Sequence, residues 1–151
     1  MSVEIRREPP DAPAARALFA DYVALVCERL PGFEPSAEIF GTPEELMAWV
    51  VLYQDGEVAG GGGLRELEPG VGEIKRVFVA EPMRRRGHGR RLVHELEALA
   101  REAGHTRVRL YTTDVLVEAI ALYREAGYAV ASTHAVQGRT DHWMEKHLSL
   151  A

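Results

Sequence analysis

The sequence predicts an α+β fold, a mixture of strands and helices that forms a single domain over residues 1–151. The strongest indication is the stretch from Gly72 to Ala103, which has the composition of a strand, a short loop and an amphipathic helix. Segments typical of strands and helices follow one another on both sides of it. With 151 residues, 46% of them hydrophobic, the chain is long enough to bury a substantial core.

The overall charge and composition argue against several classes of protein. The formal net charge is −5 and the isoelectric point is near 5.7, so a nucleic-acid partner is not expected. Cys27 is the only cysteine, which rules out an internal disulfide and favours a reducing, cytoplasmic compartment. No apolar run approaches the roughly 20 residues that span a bilayer, and the N-terminus lacks a signal-peptide core. A membrane partner is therefore not expected either.

The N-terminal segment predicts a strand followed by a helix. Residues 3–6 alternate in polarity, and Pro9-Pro10 stops the strand. Asp11 is a candidate cap for a helix over residues 14–30, which Pro31-Gly32 terminates.

The next segment predicts a hairpin. Residues 33–41 show no period and are expected to form a loop, and Thr42–Glu45 resembles a capped helical turn. Strands are expected over residues 49–53 and 58–67, joined by a turn at Asp55-Gly56.

Four consecutive glycines, Gly60 to Gly63, interrupt the second strand of that hairpin. Glycine weakens a strand and often marks a bulge or a close approach of two backbones. One interpretation is a twisted or bulged strand, and the other is a surface kept bare so that a substrate can lie against it.

The C-terminal third predicts a further strand, a helix and two closing strands. The central helix ends at Ala103-Gly104. The elements that follow are a strand over residues 108–112, a helix over 115–126 ended by Gly127, and strands over 128–135 and 142–148.

The junction between the central strand and helix has the features of an anion site. The strand runs from Glu73 to Val79 and Pro82 ends it, after which Arg84–Gly89 leads into the helix. The first turn of a helix carries unpaired N–H groups and the positive end of the macrodipole. The two glycines of the loop let a phosphate oxygen approach the backbone, and the arginines add positive charge.

This junction resembles the acetyl-CoA signature Q/R-x-x-G-x-G/A of the GNAT superfamily of N-acetyltransferases, here Arg84-Arg85-Arg86-Gly87-His88-Gly89. The resemblance is most specific from Glu73 to Tyr128. It implies a GNAT fold, in which a mixed, mostly antiparallel sheet flanked by helices splays open between its fourth and fifth strands. It also implies acetyl-CoA as co-substrate, lying in the gap, without a metal.

The resemblance assigns two groups of residues to coenzyme A. Backbone amides of the loop would hold the pyrophosphate, and the central strand would pair with the pantetheine arm. The loop residues are Arg84, Arg85, Arg86, Gly87, His88, Gly89 and Arg90, and the strand residues are Val77, Phe78 and Val79.

Tyr123 is the candidate general acid. It lies in A-I-A-L-Y-R-E-A-G-Y, residues 119–128, which is similar to the family segment A-I-x-L-Y-x-x-x-G-F/Y. The resemblance implies that its phenol gives a proton to the departing thiolate. The alternative is an ordinary core tyrosine. Leu116 departs from the family, which often has asparagine there, and this weakens the expected contact between the helix and pantetheine.

Glu73 is the candidate general base. An amine with a pKa near ~10 must lose a proton before it attacks a thioester, and a carboxylate on the central strand is able to take it. Glu73 precedes Arg84 by eleven positions, the offset at which some family members carry a glutamate base. The alternative is a structural carboxylate paired with Lys75 or with an arginine.

Together these features predict an enzyme that moves an acetyl group from acetyl-CoA to an amine of a small molecule or a peptide by direct attack in a ternary complex. The alternative is a non-catalytic acyl-CoA sensor. The histidines show no metal-ligand spacing. Residues 33–41 and the hairpin at Gln137-Gly138 are expected to shape the acceptor pocket, and the family makes a homodimer possible.

Overall fold

A computed structural model describes residues 1–136 and 138–149, with the backbone alone at residues 37 and 38. Gln137, in the hairpin predicted to shape the acceptor pocket, lies outside the described residues. Within them the chain forms seven strands: β1 Val3–Arg7, β2 Ala48–Gln54, β3 Glu57–Glu68, β4 Val71–Val79, β5 Arg107–Thr113, β6 Ala129–Val136 and β7 Arg139–His147. The helices are α1 Pro13–Arg29, α2 Ala37–Phe40, α3 His88–Glu102 and α4 Val117–Glu125, and short 3₁₀ turns cover Pro43–Glu45 and Glu81–Met83.

The strands form one mixed sheet in the order β1-β2-β3-β4-β5-β7-β6. Every neighbouring pair is antiparallel except β4 and β5, which run parallel. These two strands pair only from Val71 to Glu73, opposite Arg107 to Arg109. Beyond that point they diverge, so the predicted fold class and the splay between the fourth and fifth strands are both confirmed.

Two local predictions near the N-terminus are wrong. Asp11 does not cap α1, because Ala12 occupies the N-cap position without a side-chain cap, and the Asp11 carbonyl accepts a bond from Arg16 Nε instead. Residues 33–41 are not all loop, because α2 forms at Ala37–Phe40. The buried ring of Phe40 packs edge-on against three other aromatic rings, and such long-range packing leaves no periodic signal in four residues.

Helices α3 and α1 cover opposite faces of the first four strands. Leu92 and Leu96 of α3 lie fully buried in the larger core cluster. Leu18 of α1 packs with Trp49 and Phe78 in a second cluster. Because both faces are covered, β2 and β4 are buried over most of their length, and β3 is buried from Ala59 to Leu64. Within the described part of the chain, no helix is long and apolar enough to cross a membrane.

The glycine run lies in this doubly covered region. A Cβ at Gly60 would lie 2.7 Å from the Phe78 carbonyl oxygen, and one at Gly61 would lie 2.9 Å from atoms of Leu18 and Trp49. The β3–β4 register also shifts between Gly61 and Gly63. These contacts favour the structural interpretation, in which the glycines leave room for a local bulge, over a surface left bare for a substrate. The extra residue of this bulge lies in β4, where Arg76 has a φ of 60°.

We expect Gly60→Ala to destabilise the fold more than Gly62→Ala. A Cβ at Gly60 meets a backbone carbonyl at 2.7 Å, whereas one at Gly62 meets the ends of the Leu96 and Val77 side chains at 3.0 Å. Backbone moves less easily than a side chain, so overpacking at Gly60 should cost about 1–3 kcal/mol of unfolding free energy. Urea denaturation of both variants measures the difference. Equal losses would show that the Phe78 carbonyl does not constrain this strand.

Candidate active site

The divergence of β4 from β5 opens a cleft of about 480 Å³ between the two halves of the sheet. The half formed by β1 to β4 contributes mainly charged side chains, whereas β5, β7 and α4 contribute three aromatic ones together with Arg139 and Asp141. The lining includes Glu73, Lys75 and Arg76 from β4; Tyr111, Asp141 and Trp143 from β5 and β7; Tyr123 from α4; and Tyr22, Ile39 and Phe40 from the α1–α2 region.

Glu73 lies at the base of this cleft, at the last residue pair that joins β4 to β5. Its side chain is only 5% exposed, and Oε1 accepts a hydrogen bond of 2.7 Å from Arg65 Nε on β3. Arg65 also contacts Glu45 at 3.5 Å. Of the two partners considered for Glu73, the structure therefore selects an arginine rather than Lys75. Its second oxygen, Oε2, accepts no hydrogen bond from the described residues.

Tyr123 reaches the same cleft from α4. Its ring is buried and lies edge-on to Tyr128, with ring centroids 6.1 Å apart. Within the described part of the chain its hydroxyl has no hydrogen-bond partner. Burial, and secondarily the nearby Tyr22, raises the pKa of the Tyr123 phenol. The phenol therefore remains protonated at neutral pH and holds a proton that it is able to donate.

The loop before α3 presents a row of unpaired backbone N–H groups. Gly87 is the N-cap at φ +80°, with open space where a Cβ would stand. Arg85 also has positive φ, at 66°. The amide groups from Arg85 to Arg90 donate to no backbone carbonyl among the described residues, as expected at a helix N-terminus. Such a turn fits an anionic diphosphate.

The loop arginines differ in what they do. Arg84 Nε donates to the Val79 carbonyl at 2.9 Å, and its guanidinium lies 5.4 Å from the centre of the Phe78 ring. This arginine therefore ties the loop to the end of β4. Arg85, Arg86 and Arg90 are exposed and form no ion pair among the described residues, so they add positive charge near the loop.

The second loop glycine, Gly89, has a packing role. A Cβ there would lie 2.9 Å from a methyl carbon of Leu122 on α4. The glycine therefore lets α3 and α4 approach closely, which is a requirement that the loop motif alone does not reveal.

His88 contributes only its backbone to the loop, because its side chain is buried. Its side chain is 2% exposed and hydrogen-bonds through Nε2 to Gln54 Oε1 at 2.7 Å. Burial, together with Arg86 and Arg91, lowers the pKa of His88, so its ring is neutral near pH 7. The described residues contain no cluster of three or more potential metal ligands.

The open edge of β4 carries backbone groups into the cleft. Ala80 N–H donates to Ala59 of β3 at 2.8 Å, and residues of an antiparallel strand alternate in the neighbour they face. Val79 and Val77 therefore direct their N–H groups away from β3, toward the gap. The backbone N–H of Phe78 points toward β3 instead. The Phe78 side chain packs in the second core cluster, with Leu18 of α1.

A contact between α1 and the loop before α4 bridges the cleft. Leu116, which departs from the family pattern, is buried with Val26 and Phe40. Arg29, at the end of α1, makes a two-pronged ion pair with Glu118 of α4, with N–O distances of 2.5 and 2.8 Å. Leu116 is thus part of an apolar contact across the gap, and sequence reasoning missed this role because its partners lie far away in the chain.

Comparison with known proteins gives one consistent result. The acetyltransferase (GNAT) family model matches residues 13–128. An uncharacterized N-acetyltransferase of Escherichia coli K12 is 35% identical over 101 residues, which covers 65% of this chain and 59% of that protein. The chain thus spans about three fifths of the length of this relative.

Solved structures show the same architecture. A Klebsiella pneumoniae structure described as an acyl-CoA N-acyltransferase has a TM-score of 0.76 at 28% identity, covering 97% of this chain and 98% of that one. A structure described as a streptothricin acetyltransferase of Bacillus anthracis, in complex with acetyl coenzyme A, has a TM-score of 0.65 at 16% identity, over 78% and 70% of the two chains. Because the identity is only 16%, this second likeness shows a shared fold alone.

We expect the stabilisation from the Arg29–Glu118 pair to depend on pH. The hydrogen bond from Arg29, and then one from its own backbone, lower the pKa of Glu118 to about 2 from 4.5. A lowered pKa stabilises the fold above the unfolded value, so this contribution should be complete above about pH 5 and lost as the pH falls through about 2. Because the Glu118 side chain is 62% exposed, the contribution should stay below about 1 kcal/mol.

Unfolding of the parent and Glu118→Gln, measured by urea denaturation from acidic to neutral pH, tests this dependence. The difference between them should shrink toward zero at the acid end. Glu57→Gln, at an exposed hairpin position, should show no such change. A difference that stays constant with pH would contradict a role for the charged pair.

Proposed function

The chain belongs to the acetyltransferase (GNAT) family, whose members use acetyl-CoA as co-substrate, and from this premise we propose that it transfers the acetyl group to an amine by direct attack in a ternary complex. Family membership makes it an acyltransferase enzyme. The proposed acceptor is an amine of a small molecule or a peptide. One observation carries this proposal: Glu73 and Tyr123 face a single cleft beside the unpaired edge of β4.

The chain offers a continuous path for the co-substrate. The amides from Arg85 to Arg90 suit the diphosphate, and the edge of β4 at Val77 and Val79 suits the amide groups of the pantetheine arm. When bound, acetyl-CoA supplies the thioester carbon that is attacked and the thiolate that leaves.

Glu73 is proposed to accept the proton of the acceptor amine. Arg65 occupies Oε1 and holds the carboxylate in one orientation, which leaves Oε2 for the amine or for a water between them. A positioned base of this kind typically contributes 10²- to 10⁴-fold to the rate.

Tyr123 is proposed to protonate the leaving sulfur. Its phenol is protonated at neutral pH because burial raises its pKa, and the hydroxyl is not engaged elsewhere in the described structure. The N–H of Val79 faces the gap and is proposed to donate to the carbonyl oxygen as negative charge develops on it. No serine or cysteine is found among the described residues that line the cleft, which favours direct attack over an acyl-enzyme route.

The alternative is a non-catalytic acyl-CoA sensor, and the departure at Leu116 is the feature of the sequence that would fit it. Packing with Val26 and Phe40 now gives Leu116 a structural reason. An assay of thiol release after addition of amines separates the two functions. An enzyme would release the free thiol of coenzyme A, whereas a sensor would bind acetyl-CoA and leave the thioester intact.

We expect Tyr123→Phe to lower kcat by about 10²-fold while leaving coenzyme A binding intact, because it removes one proton donor and little volume. Thiol release measures kcat, and calorimetry with coenzyme A measures binding. Tyr128→Phe is the matched control. The Tyr128 hydroxyl donates to the buried Glu97 at 2.8 Å, away from the cleft, so that variant should lose stability and keep its kcat. Equal kcat values for the parent and Tyr123→Phe would remove the acid role, and no heat with coenzyme A would overturn the proposed function.

We expect Glu73→Gln to lower kcat/KM by about 10²-fold near neutral pH. The deficit should narrow as the pH rises toward the pKa of the amine, near ~10, because less proton removal is then required. Steady-state rates across pH measure the effect. Glu66→Gln, an exposed position on β3 whose partner is His105, serves as the control. If the rate and the pH profile do not change, Glu73 is a structural partner of Arg65 only.

A further inference from the structure

We propose that the acceptor is a small amine that also carries a carboxylate, as a free amino acid does, and that Lys75 binds this carboxylate. The inference rests on the proposed function and narrows its substrate class. It is carried by the distribution of charge in the cleft and by the position of Lys75 relative to Glu73.

The charge of the cleft differs in sign from that of the chain. Among the described lining residues, four cationic side chains face three carboxylates: Arg65, Lys75, Arg76 and Arg139 against Glu45, Glu73 and Asp141. The whole chain carries a net charge of −5. An amine arrives mostly as an ammonium ion, and a cationic cleft disfavours it unless the same molecule brings a negative group.

Most of these cations already have partners. Arg65 pairs with Glu73 at 2.7 Å and Arg139 with Asp141 at 3.0 Å. Arg76 donates to the carbonyls of Phe40 and Gly41 and is nearly buried.

Lys75 is different. Its ammonium forms no hydrogen bond or ion pair with any residue whose side chain the structure describes. It lies beside Gly41, since a Cβ built there would stand 3.2 Å from Nζ. The neighbouring carboxylate, Glu45, is shared with Arg65 at 3.5 Å. A half-buried cation that has no close partner among the described side chains is suited to receive an anionic group of a ligand.

The spacing along β4 matches a short amino carboxylate. Lys75 follows Glu73 by two positions before the bulge, so both side chains leave the same face of the strand, about 7 Å apart at their Cα atoms. An amine placed at Glu73 therefore has Lys75 within reach of a carboxylate a few bonds away. Beyond them, Tyr111 and Trp143 close the cleft as an edge-on aromatic pair with centroids 5.1 Å apart.

The size of the cleft favours a small molecule over a peptide. Its volume of about 480 Å³ lies at the low end of the range for small-molecule sites. Ile39 and Phe40 of α2 line it from the α1–α2 region. A peptide N-terminus would also place an amide where the proposal requires a carboxylate.

The test compares matched acceptors on the parent enzyme. Free amino acids, their C-terminal amides and the corresponding decarboxylated amines are assayed by thiol release from acetyl-CoA, with each rate expressed per unprotonated amine. A charge-assisted contact is worth about 1.5–3 kcal/mol, so kcat/KM should favour the carboxylate by about 10- to 100-fold.

Variants at Lys75 test whether this lysine causes the preference for acceptors that carry a carboxylate. Lys75→Gln should abolish it, Lys75→Glu should reverse it toward decarboxylated amines, and Lys75→Arg should retain it, while coenzyme A binding by calorimetry stays unchanged in all three. Arg7→Gln, at an exposed position on β1, is the control and should keep the full preference.

The outcomes separate this inference from the proposed function. Turnover of amides or of peptides with blocked C-termini at least as fast as of free amino acids would overturn the inference and leave the acetyltransferase standing. A carboxylate preference that survives in Lys75→Gln would overturn the role of Lys75. Absence of thiol release with every amine would overturn the proposed function itself.

Discussion

An unpaired strand edge inside a folded protein must find hydrogen-bond partners, and β4 has such an edge along most of its length. It pairs with β5 only as far as Glu73, while its other edge stays bonded to β3. The N–H groups of Val77 and Val79 therefore face the gap. Unpaired backbone groups are costly when they lose water. The proposed path of the pantetheine arm follows this open edge, and Glu73, Val77 and Val79 all lie on the strand that carries it.

The shape of β4 depends on a bulge that the glycines of β3 permit. Arg76 has φ of 60°, a conformation that costs a non-glycine residue about 1–2 kcal/mol. It is held there because Arg76 Nη2 donates to the Gly41 carbonyl at 2.7 Å and its guanidinium lies 3.8 Å from the centre of the Phe19 ring. The strand thus places Glu73 and Lys75 on one face of the sheet before the bulge, where the acceptor is proposed to bind, and presents Val77 and Val79 to the gap after it. The glycines opposite leave room for both helices.

The two sides of the cleft are also joined by contacts between α1 and the segment that leads into α4. Leu116 packs on Val26 and Phe40, and Arg29 binds both carboxylate oxygens of Glu118. The cleft is therefore bounded at its base by the last β4–β5 pair and on the far side by contacts between α1 and α4. This closure gives the cleft its limited size, and it connects α1 and α2 to the helix that carries Tyr123.

Much of the fold and part of the site followed from the sequence, because they depend on residues close together in the chain. The central strand, the arginine–glycine loop and the amphipathic helix show their periods locally, and the backbone donors at Gly87 follow from a helix that begins there. The tertiary structure alone decided the rest: Arg65 as the partner of Glu73, the burial of His88 against Gln54, and the place of Leu116 in a contact across the cleft. Each of these depends on side chains from separate elements that only the packed sheet and helices bring together, and no local pattern of residues encodes such a meeting.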